Sequence, residues 1–199
     1  MAGMKIVISV ILGYLLGSVN SSIFLSKIMG SDVRKSGSGN AGATNMARKF
    51  GLKAGLLAMI LDMLKAVCAF FIGQWLAGDW GLMAALMACL VGHCFPVFHH
   101  FKGGKGVSVG GILSLLVDWR VGLCVIGCFL IGAFSTKKVS VGSMIGGAVC
   151  AIGAVIFHLP LPRLLVCLFA GCIVIFQHRA NIKRLIDGTE PDFKPKKEK

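Results

Sequence analysis

Apolar stretches separated by short polar islands fill almost the whole chain. Seven can be drawn, over residues 4–27, 52–77, 81–98, 106–117, 121–134, 139–157 and 163–177. A helix rising 1.5 Å per residue needs about 20 residues to cross roughly 30 Å of hydrocarbon, and most of these stretches approach or exceed that length. The pattern predicts an all-α, polytopic membrane protein with seven transmembrane helices. The fourth and fifth stretches are too short to cross untilted, which leaves residues 106–134 readable as a half-inserted hairpin. The first stretch lacks a small-residue cleavage site followed by a polar mature region and reads as a retained span. Gly13 and Gly17, Gly106 and Gly110, and Gly142 and Gly146 stand four apart in apolar runs, a spacing that lets helix backbones approach closely. Beyond residue 186 the pattern stops. Residues 187–199, with two prolines, mixed charge and no apolar face, are expected to form a mobile cytoplasmic tail behind one integral-membrane catalytic domain of residues 1–186.

Composition agrees with a membrane class: 56% of the 199 residues are hydrophobic and 15% charged, with a mean hydropathy of +0.82. The formal net charge of +13 does not point to nucleic acid, because it sits in short connections between apolar stretches. With the N-terminus outside, the basic residues of loops 34–53, 102–105, 137–138 and 179–184 all fall inside, and only Lys5, Arg120 and Arg163 lie outside. That asymmetry satisfies the positive-inside rule, and seven crossings put the C-terminus in the cytoplasm. The eight cysteines lie in apolar runs with no CxxC pair and read as small core hydrophobes. Asp62 and Lys65, ionisable in the second stretch and three apart, are expected to form a structural ion pair. His93, His99 and His100 have no carboxylate at metal-ligand spacing, so neither metal nor cofactor is expected.

The polar islands carry the chemistry. Residues 32–48 are dense in glycine, hydroxyl and amide side chains between basic positions. Gly37, Gly39 and Gly42 let backbone N–H groups turn toward an oxyanion, Ser38, Asn40, Thr44 and Asn45 offer further hydrogen bonds, and Arg48 forks onto phosphate oxygens. The same glycines satisfy GxGxxG, but no strand precedes them and no soluble crossover follows, which excludes a dinucleotide fold. The second island, with Lys102, Gly103, Gly104, Lys105 and Gly106, combines flexible backbone, a point charge and a following helix N-terminus. It lacks the glycine and hydroxyl spacing of a nucleotide P-loop, so another phosphate is favoured. A third island enters the sixth stretch at Ser143. The fourth leaves the seventh with His178, Arg179 and Asn181, the histidine and the amide three apart on one helical face.

In this order, Gly37-Ser-Gly-Asn-Ala-Gly-Ala-Thr-Asn45 with Arg48, Leu61-Asp-Met-Leu-Lys65, Lys102-Gly-Gly-Lys-Gly106, Val139-Ser-Val-Gly-Ser143 and His178-Arg-Ala-Asn-Ile182 resemble the bacterial acyl-phosphate:glycerol-3-phosphate acyltransferase family, PlsY. The resemblance implies a seven-helix fold of the bacterial inner membrane with its site at the cytoplasmic face. It also implies acyl transfer from acyl phosphate to the sn-1 hydroxyl of glycerol 3-phosphate, the first acylation of phospholipid synthesis. By similarity Ser38, Asn40, Lys105, Ser143, His178 and Asn181 are the catalytic positions. The glycines at 37, 39, 42, 103, 104 and 106, with Thr44, Asn45, Arg48, Lys102 and Arg179, bind substrate. Ala180 replaces a glutamate the family commonly carries, and Ser108-Val109 replaces the usual Ala-Thr.

Acyl phosphate is already activated, so positioning and charge stabilisation remain for the protein. Either His178 or the substrate's own phosphate takes the hydroxyl proton. The partners expected are the two substrates and membrane lipid, with no obligate protein partner. A transporter for a small phosphorylated anion is the rival reading, but it predicts polar groups near mid-membrane and often an inverted repeat, and no convincing repeat is seen.

Overall fold

In a computed structural model, residues 1–194 and 196 are described. Among them the chain is all-helical. The helices are α1 (Ala2–Ser18), α2 (Ser21–Ile28), α3 (Ala43–Phe50), α4 (Leu52–Cys94), α5 (Val107–Val117), α6 (Trp119–Thr136), α7 (Val139–Ile156), α8 (Leu161–Gln177) and α9 (Arg179–Ile186). Each of the seven apolar stretches is helical. Two of them form α4, whose helix breaks at Ala77 and Gly78, where Gly78 takes φ +60°. That break coincides with the gap between the second and third stretches. The first stretch is instead divided, because Asn20 interrupts it: its side chain accepts a hydrogen bond from Ile23 N at 3.0 Å and caps α2.

Length separates the pair that the sequence left ambiguous. The 18 residues of α6 rise about 27 Å and suffice to cross, whereas the 11 residues of α5 rise only about 16 Å. Asp118 makes the turn between them, accepting from Arg120 N at 2.9 Å and Val121 N at 3.4 Å. α6 thus starts two residues before its apolar run.

Large apolar side chains cover the outside of the bundle, among them Phe71, Trp75, Ile131 and Phe134. The interior is built from small and medium residues such as Ala66, Ala85, Cys89, Leu113, Val121 and Cys167. This inversion of a soluble protein suits lipid, where close backbone packing replaces the hydrophobic drive. Gly13 and Gly17 of α1 lie so close to α4 that a Cβ would fall 2.3 Å from Ala85 O and 2.1 Å from Cys89 O. Gly142 of α7 meets Phe129 O of α6 in the same way, at 2.4 Å. Gly110 and Gly146, read with their partners as packing glycines, have only ordinary contacts, and Gly106 serves the turn before α5 at φ +81°.

Candidate active site

The polar islands converge at one end of the bundle, around a cavity of about 140 Å³. The first island is held in shape by Asn45. Its Nδ2 donates to Val33 O, Ser36 O and Asn40 O at 2.9–3.1 Å, and its Oδ1 accepts from Ser38 N at 3.2 Å. Every polar atom of that amide is therefore used internally. Asn45 thus braces the loop, and it also borders the cavity. Gly37 turns the chain at φ +57° against it, where a Cβ would lie 2.3 Å from Asn45 Oδ1. Gly39, at φ +70°, makes the next turn. The loop presents Ser38, Asn40, Gly42, Thr44 and Arg48 to the cavity.

The second island is tied to the first by Arg34. Its guanidinium pairs with Asp32 at 2.8 Å and donates to His99 O and Lys102 O, both at 3.4 Å. The same pairing holds the Asp32 carboxyl down at about 2. Gly103 N and Gly104 N bond back to Cys94 O and His93 O, and Lys105 reaches the cavity, donating to Asn181 Oδ1 in a short hydrogen bond. The third and fourth islands supply Ser143, His178 and Asn181. His178 Nδ1 lies 2.7 Å from Val174 O. A carbonyl can only accept, so Nδ1 carries the proton and Nε2 is left as the acceptor of a neutral ring.

Lys102 and Arg179 are exposed and do not border the cavity. Arg179 donates to Phe176 O and Gln177 Oε1 and lies 4.7 Å from the Phe176 ring centre. Its place as first residue of α9 turns it outward, away from the face carrying His178 and Asn181. Gly103, Gly104 and Gly106 shape their loop without lining the cavity.

Two charged lining residues near the mouth, Glu190 and Arg184, were not among the site residues expected from the sequence. Glu190, from the segment after α9, is 7% exposed. It accepts from Ser140 Oγ at 2.6 Å, Asn181 Nδ2 at 2.7 Å and Arg184 Nε at 2.7 Å. Burial opposes its ionisation, but these three donors outweigh that and hold the carboxyl below its usual range. Arg184, one turn after Asn181 on α9, is the other. Ala180 is exposed, so the carboxylate at this site comes from Glu190 and a longer side chain at 180 would face outward. Arg184 closes the fourth island, where only its charge marked it, and Glu190 sits beyond that island in a stretch without motif or period. The segment strengthens its hold through Lys138, which donates to Glu190 O at 2.9 Å and Asp192 Oδ1 at 2.8 Å, and through Phe193 N, which bonds Lys137 O. Of the segment read as a tail, Pro195 and residues 197–199 lie outside the described residues.

The electrostatics favour an anion. The first turns of α3, α5, α7 and α9 all border the cavity, each presenting the positive end of its helix dipole. Arg48, Lys105 and Arg184 add three cations against the two lining carboxylates, Glu190 and the Lys65-paired Asp62. Burial, with Arg184 and Arg48 nearby, pushes the Lys105 ammonium down to about 8, and burial likewise lowers Arg48. Burial also drives the His178 ring down to about 4, Lys105 adding to the effect. Next to this cavity lies an apolar groove of about 470 Å³ between α4, α5, α6, α7 and α8. Met59, Val107, Ser108, Phe129 and Ser143 border both. A charged head and an aliphatic chain of one ligand could therefore be held together.

Comparison with known proteins supplies the decisive observation: residues 7–188 match the glycerol-3-phosphate acyltransferase family model. The chain is a member of this family. Curated relatives carrying that name include one from Rubrobacter xylanophilus, 39% identical over 188 residues and 94% of each chain. Another, from Bacillus subtilis, is 38% identical over 96% of this chain and 99% of the relative. Two solved structures of PlsY, an integral membrane glycerol 3-phosphate acyltransferase, superpose on this acyltransferase at 34% identity. The glycerol 3-phosphate form gives a TM-score of 0.90 over 95% of this chain and 96% of the other. The lysophosphatidic acid form gives 0.88 over 95% of each.

Proposed function

We propose that this acyltransferase moves an acyl group from acyl phosphate to the sn-1 hydroxyl of glycerol 3-phosphate, giving lysophosphatidate and inorganic phosphate. One observation carries the reading: a cavity ringed by helix N-termini and cations opens onto an apolar groove through shared walls. The two related structures, named for glycerol 3-phosphate and lysophosphatidic acid forms, match the two ends of such a reaction. Charge asymmetry along the sequence supports a cavity at the cytoplasmic face of the bacterial inner membrane.

In this mechanism the acyl chain lies in the groove and its carbonyl at the junction near Ser143 and Ser108. Lys105 and the backbone N–H groups at the start of α5 hold the donor phosphate and stabilise the charge that it carries away. Arg48, with Ser38, Asn40 and Thr44, holds the phosphate of the acceptor, and His178 Nε2 and Asn181 orient its hydroxyl. That oxygen attacks the acyl carbon, the carbon–oxygen bond to phosphate breaks, and the hydroxyl proton passes to a phosphate oxygen. The neutral His178 ring, low in basicity, serves as a hydrogen-bond acceptor and does not take the proton.

Purified protein given palmitoyl phosphate and labelled glycerol 3-phosphate is expected to form lysophosphatidate, and Lys105→Ala to lose at least about a hundredfold in rate. Product from acyl-CoA but none from acyl phosphate would refute the donor assignment. Uptake of glycerol 3-phosphate into liposomes without acylation would favour a transporter.

A further inference from the structure

Asp62 is the carboxylate least explained by this scheme. Its side chain is 1% exposed, in the first half of α4, yet it borders the polar cavity. Oδ1 lies 2.9 Å from Lys65 Nζ and 3.6 Å from His93 Nδ1. Neither oxygen has a hydrogen-bond partner among the described residues, the Lys65 contact to Oδ1 being an ion pair only, so Oδ2 is the oxygen left to a further donor. Lys65 cannot serve it as well. Its ammonium has three hydrogens, and donates to Gly17 O at 3.0 Å, Val19 O at 2.9 Å and His93 Nδ1 at 3.0 Å, with Asp62 Oδ1 competing for the last. A buried, charged acceptor left without a donor is costly, and the residue lies at the wall of the polar cavity.

Location and charge narrow the donor. Met59, one turn earlier on α4, borders both cavity and groove, so Asp62 stands beside their junction, where a hydroxyl must approach the acyl carbonyl. A phosphate group is repelled by a carboxylate, and a glycerol hydroxyl is a neutral donor. The attacking hydroxyl ends as an ester oxygen without hydrogen, whereas the secondary hydroxyl keeps its hydrogen from substrate to product. A fixed, charge-paired acceptor suits the second. We propose that Asp62 is a substrate-binding residue whose Oδ2 accepts a hydrogen bond from the secondary hydroxyl of glycerol 3-phosphate, so that the buried ion pair reads the acceptor as well as bracing the helices. The inference rests on the acyl-transfer reading above.

Propane-1,3-diol phosphate keeps the phosphate and the attacking hydroxyl but lacks the secondary one. The ratio of kcat/KM for glycerol 3-phosphate over this analogue is independent of the folded fraction of a preparation. Wild type is expected to prefer glycerol 3-phosphate by about tenfold or more, as a site built for a hydroxyl rejects its absence. Asp62→Asn should weaken the preference. Asp62→Leu combined with Lys65→Met, which removes the ion pair as a unit, should bring it within about threefold of unity. A preference unchanged in either variant, or absent in wild type, overturns the proposal. Should neither variant fold, infrared difference spectra of ¹³C-aspartate-labelled wild type decide. A carboxylate band shifted by glycerol 3-phosphate and not by the analogue supports the assignment, and equal spectra refute it. If wild type acylates neither acceptor, the acyl-transfer reading itself fails.

Discussion

His178 and Lys105 meet the cavity as a neutral acceptor and a weakened cation, and both states have consequences at the scale of single residues. With Nδ1 committed to Val174 O and the ring down at about 4, His178→Gln keeps an acceptor and should slow the reaction less than the roughly hundred- to ten-thousandfold expected for a lost general base. Its pH–rate profile from pH 7 down through about 4 should superpose on that of wild type; a vanished acid limb would restore the imidazole as base. Lys105 falls from 10.5 to about 8, so it is charged below that pH and neutral above. kcat/KM should therefore decline as pH rises through about 8, and Lys105→Arg, which keeps its charge, should move that decline upward while lowering the rate. The sign for stability is opposite. The folded lysine releases its proton more readily than the unfolded one, so the ligand-free protein should gain stability as pH rises from about 8 toward 10.5, readable by denaturation in detergent.

Two elements show how local sequence and packing share the work. The segment after α9 looks featureless in sequence, yet Glu190 collects three donors from α7 and α9. Glu190→Ala strands all three, and a loss of about 1–3 kcal/mol per stranded group is expected. A drop in thermal midpoint and in activity together would follow, while Glu190→Gln, keeping an acceptor, should recover part of both. Because its carboxyl is held below its usual range, Glu190 contributes its charge-dependent stability above the ordinary carboxylate pKa. That contribution fades as pH falls through the lower folded value. Packing of α6 on α7 is tested by Gly142→Val, whose Cβ would meet Phe129 O at 2.4 Å. A destabilisation of about 1–3 kcal/mol is expected, against little change for Gly111→Ala, where a Cβ meets nothing within 4 Å.

At the scale of the whole molecule, one claim joins the rest: the four islands face one compartment. Single cysteines at Ser38, Lys102 and Lys183 in a background lacking the eight native ones should react with a membrane-impermeant thiol reagent only from the cytoplasmic side, and one at Lys5 only from outside. Labelling from opposite sides would break the proposed site apart. Hydrophobic length and the placement of basic residues along the sequence determined that the chain is a helical membrane protein, and its glycine–hydroxyl–cation islands pointed to the residues proposed to hold phosphate, because each of these is a local property. Tertiary structure alone decided that Asn45 braces its loop, that Arg179 turns outward, that Glu190 returns to the cavity and that the buried Asp62 carboxylate has no hydrogen-bond donor among the described residues. Those outcomes depend on which donors lie within about 3 Å in space, a relation between segments as far apart as the 50 residues from Ser140 to Glu190 that no period along the chain encodes.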